Sequence, residues 1–185
     1  MNNEEKLLLE TIRFNILKSN GWAFLRYIHL RDFISSQSNI NSVGVCGTGM
    51  GFAELALALE FPNLDFYLTD IICEGRPNFH RVMELTFRYN LRNIRFGIWD
   101  TLKKSPQKFD SIVSTEILEH IKEAGLALQN MIDACNKSVY CLAPYAPEDV
   151  NLNIENRLAA YIQHEHFVCG FDENFFGNIE SPPVY

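Results

Sequence analysis

The sequence predicts an α/β fold: a doubly wound, mostly parallel sheet preceded by an N-terminal helical cap. Two observations carry this. Between Val43 and Leu142, short apolar runs of strand length alternate with longer runs of helical periodicity, the pattern of a parallel sheet covered on both faces. A glycine-rich stretch, CGTGMG at 46–51, joins the first of those strands to the first of those helices, where an open parallel sheet places its ligand crevice.

The elements follow in order. Residues 4–18 place Leu8, Ile12 and Ile16 on one helical face, and Ser19-Asn20-Gly21 stops the run. A second helix over 22–34 is expected to turn Leu25, Ile28 or His29, and Leu30 inward. Phe14, Trp22, Phe24 and Tyr27 read as core aromatics. These helices, within residues 1–38, form the cap and the natural material for a lid over the glycines. Residues 43–46 make the first strand. Residues 52–61 are apolar on nearly every side, hence a buried helix, ended by Pro62-Asn63. A second strand spans 64–69. The helix expected over 77–90 opens on a proline and carries Phe79, Val82 and Thr86 on one face. Third and fourth strands span 94–99 and 111–114. A long helix is expected over 117–136 through Leu128, Met131, Ile132 and Cys135, and a fifth strand over 138–142. Past Pro147 the pattern suggests one helix over 149–163, and the ending IESPPVY looks cut short.

A chain of 185 residues with 47% hydrophobic and 21% charged residues suits a single domain with its own core. Sixteen Lys and Arg against 23 Asp and Glu give a net charge of -7, without a basic run. Such a surface repels phosphate backbones, so nucleic acid is not expected as a partner. The five cysteines, Cys46, Cys73, Cys135, Cys141 and Cys169, form no CxxC pair, and four sit in apolar stretches as small hydrophobes. The start, MNNEEKLLLE, has acids where a secretory signal carries bases, and no apolar run is long enough to cross a bilayer. The expectation is a soluble, cytoplasmic protein with no membrane partner.

A glycine-rich turn between strand and helix lets backbone N–H groups approach a ligand. The spacing here is G-x-G-x-G, through Gly47, Gly49 and Gly51. It fits neither the dinucleotide pattern G-x-G-x-x-G nor the phosphate loop G-x-x-x-x-G-K-[ST]. A nicotinamide oxidoreductase is therefore disfavoured.

The segment SVGVCGTGMGFAELALALEFPNLDFYLTD, residues 42–70, resembles the first two motifs of class I S-adenosylmethionine-dependent methyltransferases. Further matches follow in order. FGIWDT resembles the end of that family's third strand, FDSIVSTEILEHI closely resembles the fourth strand and following helix of its small-molecule branch, and SVYCLAP resembles the fifth strand. The likeness covers about residues 40–145. It implies the Rossmann-like methyltransferase fold, S-adenosyl-L-methionine as cofactor and a small-molecule methyl acceptor. It further implies that Gly47, Gly49 and Gly51 pass under the methionine half. Asp70 would hold both ribose hydroxyls, and Asp100, followed by Thr101, would take the adenine amino group. On this reading the single domain, 1–185, comprises the cap (1–38), a cofactor-binding core (40–145) and an acceptor-side segment (146–185). The sequence departs from the family in one respect. The family carries an acid at the start of its glycine motif, beside the methionine ammonium; Val43 or Val45 stands there. Glu54 and Glu116 are the candidate substitutes.

Read alone, Asp70 fits a loop aspartate making its own turn bonds, and Asp100-Thr101 fits a turn cap. What joins them to the glycines is a shared location at the carboxyl ends of the strands. His120 is the candidate catalytic residue, near the acceptor; a residue that merely fixes the loop is the other reading. Glu116 and Glu119 lie three apart. Glu116, nearer the strand end, is the better cofactor neighbour, and Glu119 is expected to be solvated or capping. In HEHF, His164 and His166 would share one face of a strand, but third and fourth ligands are missing, so no metal is expected. Lining an acceptor pocket suits them better, and Tyr145 could also face the cofactor. The N-P-P-Y signature of amino-methylating relatives is replaced by STEI, which disfavours adenine or glutamine nitrogen as acceptor. Two further expectations stay open: the same fold kept as a non-catalytic binding or scaffold protein, and a homo-oligomer formed through an uncovered edge strand.

Overall fold

The computed structural model describes residues 2–19, 21–73, 76–77 and 79–143. Tyr145, His164, His166, the helix expected over 149–163 and the segment 146–185 lie outside the described residues, as does the side chain of Trp22.

Two helices, α1 (Asn3–Ser19) and α2 (Gly21–Ser36), precede the sheet. They are followed by β1 (Ser42–Cys46), α3 (Phe52–Glu60), β2 (Asp65–Asp70), α4 (His80–Arg88), β3 (Ile94–Ile98), β4 (Phe109–Thr115), α5 (Ala124–Asp133) and β5 (Cys135–Leu142). The five strands lie in the order β3-β2-β1-β4-β5, every neighbouring pair parallel. Strand order reverses between β1 and β4, which opens the crevice at the carboxyl ends of both. Among the described residues no helix is long and apolar enough to cross a membrane.

Alternation along the strands sorts side chains onto two faces. Val43 and Val45 of β1, Phe66 and Leu68 of β2 and Val113 of β4 are in one buried cluster with α1, α2, α3 and Val82 of α4. Cys46 and Ile112 are in the other, with Phe109, Leu118, Leu128 and Met131. Leu55, Leu57 and Leu59 of α3 are all buried, because the sheet covers one side of that helix and the cap the other. Each such side chain contributes about 1.5–3 kcal/mol. A polar latch fixes the cap: Arg13 Nε donates to the Tyr27 hydroxyl at 2.9 Å, Tyr27 donates to Glu60, and Arg13 Nη2 pairs with Glu60 at 2.7 Å.

Several expectations are corrected. Leu25 and Phe14 are exposed. The buried stripe of α2 runs through Tyr27, Leu30 and Ile34, and a residue two positions away points about 200° round the helix; Phe14 stands in the same relation to Ile12 and Ile16. Residues 76–77 pair antiparallel with 72–73 instead of opening a helix, as the extended backbone preferred before a proline favours. The long helix over 117–136 is broken into a 3-10 turn, Leu118–His120, and α5, while Cys135 already belongs to β5. Glu119 is buried in that turn rather than solvated, since 3-10 geometry advances about 120° per residue and shifts every face of the expected helix.

Candidate functional site

The glycine segment leaves β1 and enters α3 through three left-handed residues, Gly47, Gly49 and Gly51, with φ of 66°, 57° and 76°. At Gly47 a side chain is excluded as well. A Cβ there would meet Ile117 Cδ1 at 2.1 Å. The segment is tied to β2 throughout: Thr48 donates both its N–H and its hydroxyl to the Thr69 carbonyl, at 3.0 and 3.1 Å, and Thr69 Oγ1 donates to Val45 O at 2.7 Å.

Asp70 ends β2. Its Oδ2 accepts the Gly49 N–H at 2.8 Å and its Oδ1 accepts the Ile71 N–H at 2.8 Å. An ionised carboxylate has about four lone-pair positions, so two remain for a ligand. The end of β3 is drawn alongside by Trp99 N–H donating to the Asp70 carbonyl at 3.2 Å.

Asp100 follows β3 and does cap its turn, accepting the Leu102 N–H at 3.1 Å while pairing with Lys103 Nζ at 3.0 Å. The Lys103 hydrogen bond, followed by the Leu102 amide, holds its carboxyl below the usual aspartate range. Thr101 is buried, its carbonyl accepting Asn130 Nδ2 at 2.8 Å.

Glu116 follows β4 in a left-handed conformation, φ 55°, unusual for a residue with a side chain. Its N–H donates to Leu142 O at 2.8 Å. His120 closes the 3-10 turn, its N–H on the Ile117 carbonyl at 3.0 Å.

Two adjoining cavities result. One, about 320 Å³, is lined by Gly47, Asp70, Asp100, Thr101, Ile117 and His120, with apolar Trp99, Leu102 and Ile121. The other, about 340 Å³, lies over the glycine segment and is bounded by Ile16, Arg26, Glu116, Ile117 and His120. Gly47, Ile117 and His120 line both. Glu54 lines neither; it is buried, and burial raises its pKa against the opposing field of Arg26. Val43 and Val45 are buried in the core, so β1 contributes no carboxylate. A separate hollow of about 390 Å³ lies near Pro62, Asp65 and Asn93, at the amino ends of β2 and β3, away from these groups.

No family model and no curated protein matches the sequence. Solved structures do match its shape. YcgJ from Bacillus subtilis superposes with a TM-score of 0.64, 18% identity, over 82% of this chain and 65% of that one. Phosphoethanolamine N-methyltransferase 2 from Haemonchus contortus, in complex with S-adenosyl-L-methionine, gives 0.67 and 15% identity over 84% of this chain and 35% of that one. Magnesium protoporphyrin IX methyltransferase from Synechocystis, with bound SAH, gives 0.62 and 15% identity over 84% and 69%. The fold is that of the class I S-adenosylmethionine-dependent methyltransferases. At such identities the likeness carries the architecture, and this chain spans only about a third of the Haemonchus protein's length.

Within the methyltransferase fold, the structure brings the three glycines, Asp70, Asp100, Thr101, Glu116 and His120 to one end of the sheet, around two neighbouring hollows. Sequence reasoning missed Arg26 and Ile117. Ile117 read only as the start of a helix, and Arg26 was not singled out. Nothing in the sequence reports that α2 delivers Arg26 to the glycines.

Proposed function

We propose that the chain binds S-adenosyl-L-methionine across the two cavities and transfers its methyl group to a small-molecule acceptor. One observation supports this above others: a side-chain-free turn at Gly47 and Gly49 is locked to Asp70, whose remaining lone pairs suit a pair of vicinal hydroxyls. The donor set fits such a cofactor chemically. Asp70 would accept ribose hydroxyls, and Asp100 with Thr101 would take the adenine amino group. The glycines and Glu116 border the cavity left for the amino-acid end.

When bound, the cofactor supplies a sulfonium methyl that is already electrophilic, so the protein's part is to align an acceptor and keep water away. His120 lines both cavities and is our candidate for taking a proton from an oxygen or nitrogen acceptor. The 40–145 core would carry the cofactor and the 1–38 cap one wall of the site. A net charge of -7 agrees with an acceptor other than nucleic acid.

A second reading, a non-catalytic protein on the same scaffold, is favoured by the absence of a β1 acid at Val43 and Val45. Thermal denaturation with millimolar S-adenosylmethionine, and separately with NADH, separates the readings. Saturating ligand at a hundred times its Kd stabilises by about 2.7 kcal/mol, a clear rise in midpoint with S-adenosylmethionine alone. No rise with it would overturn the methyltransferase reading, and a rise with NADH only would point to a dinucleotide protein.

A further inference from the structure

Arg26 enters the cavity over the glycine segment from α2, with its Nε buried and, among the described residues, without a hydrogen-bond partner. Glu54, in the first turn of α3 and within the electrostatic reach of Arg26, is fully buried and its Oε2 also has no partner. On the cavity wall Glu116 Oε2 stands 3.9 Å from Arg26 Nη1, an ion pair too long to be a hydrogen bond. Phe52 and Ala53 line the same wall, and Gly51 supplies α3 with no side-chain cap, so the positive end of that helix faces the space.

The Arg26 side chain is a quarter exposed, but its buried Nε leaves a bond unmade, which is unfavourable until a partner arrives. The partner that satisfies it best is a carboxylate, which a guanidinium can grip with two parallel bonds. A carboxylate there also meets the amides at the start of α3. An ammonium one carbon away has Glu116 as its counter-charge. Cation and anion thus stand on one wall, a few ångströms apart, in the arrangement an α-amino acid presents.

We propose that Arg26, the N-terminus of α3 and Glu116 form a receptor for an α-amino-acid head group, and that this head group is the methionine end of the cofactor. The inference rests on the cofactor reading above. It replaces the missing β1 carboxylate with a charge pair reaching across from the cap and from β4. Cofactor binding thereby senses whether α2 is docked, because the Arg13–Tyr27–Glu60 latch, adjacent in sequence to Arg26, fixes that helix.

The test is calorimetric binding of two nucleosides: S-adenosylhomocysteine, which keeps the head group, and 5′-methylthioadenosine, which lacks it. Wild type is expected to prefer the former by tenfold or more. Arg26→Gln should abolish that preference while leaving 5′-methylthioadenosine affinity within twofold, and Arg26→Lys should keep part of it. Glu116→Gln is read the same way and guards against a misfolded Arg26 variant. Equal wild-type affinity for the two nucleosides overturns the receptor and leaves the nucleoside site standing. So does Arg26→Gln weakening both alike or neither. Wild type binding neither nucleoside overturns the cofactor reading and this inference with it.

Discussion

The backbone N–H of Gly49 donates to Asp70 Oδ2 at 2.8 Å, so the side-chain-free turn after β1 and the carboxylate ending β2 are one unit rather than two motifs. The same carboxylate accepts the Ile71 amide. Removing it leaves two donors partnerless and loosens the turn. Asp70→Ala is therefore expected to destabilise the fold by about 1–3 kcal/mol, measured by urea denaturation. An unchanged midpoint would show that the turn holds its shape without Asp70.

Gly47 and Gly49 separate two costs of adding a methyl group. Both are left-handed, which costs an L-residue roughly 1–2 kcal/mol. Only at Gly47 does the new Cβ run into another side chain, Ile117 at 2.1 Å, whereas Gly49 faces open space. Gly47→Ala should destabilise by about 1–3 kcal/mol more than Gly49→Ala. Adding Ile117→Ala should recover part of that difference. Equal stability of the two single variants contradicts the packing.

Burial raises the Glu54 pKa in the folded state, so the sign of its pH dependence is fixed. Below its unfolded value, near 4.5, both states keep the proton and nothing is lost. As pH climbs through the folded value, the folded state must desolvate a carboxylate and stability falls. Glu119, also raised by burial, acts in the same direction. Glu54→Gln is expected to gain on wild type in denaturant midpoint as pH is taken from about 4.5 to 8. A difference independent of pH would refute a buried, titrating Glu54.

Asp100 is engaged with Lys103 and the Leu102 amide and so has a structural role whatever it binds. Its proposed second role is separable. Asp100→Ala should weaken S-adenosylhomocysteine by about tenfold, a charged hydrogen bond of roughly 1.5–3 kcal/mol. It should affect the inosine analogue, which lacks the amino group, far less. Equal losses for both would leave Asp100 as a turn cap alone.

His120 touches both hollows yet lies beyond Ile117 from the glycines in the chain. His120→Gln is expected to leave S-adenosylhomocysteine affinity within twofold, because its proposed work is on the acceptor. A tenfold loss of affinity would move it to the cofactor's side of the site.

Much of this was legible in residue order. Alternation of Val43, Val45, Phe66 and Leu68 with residues of the other face is a local signal, and the strands and α3 lie close to where it puts them. The acids and glycines fell together because a parallel sheet collects strand ends at one side. Position-specific backbone was not legible. A glutamate carries no mark of a left-handed conformation, so the turn at Glu116 and the 3-10 segment after it broke the helix expected over 117–136. Arg26 was invisible for a different reason: its neighbours across the cavity come from α3 and β4, and only the docking of α2 brings them together.

The central claim is tested most directly by titrating S-adenosylmethionine into the wild-type chain and into Asp70→Ala by calorimetry. The account predicts saturable, one-to-one binding to wild type, weakened tenfold or more in the variant, as befits the loss of a charged acceptor worth roughly 1.5–3 kcal/mol. Equal affinity in both proteins, or no binding heat at millimolar ligand, would contradict it.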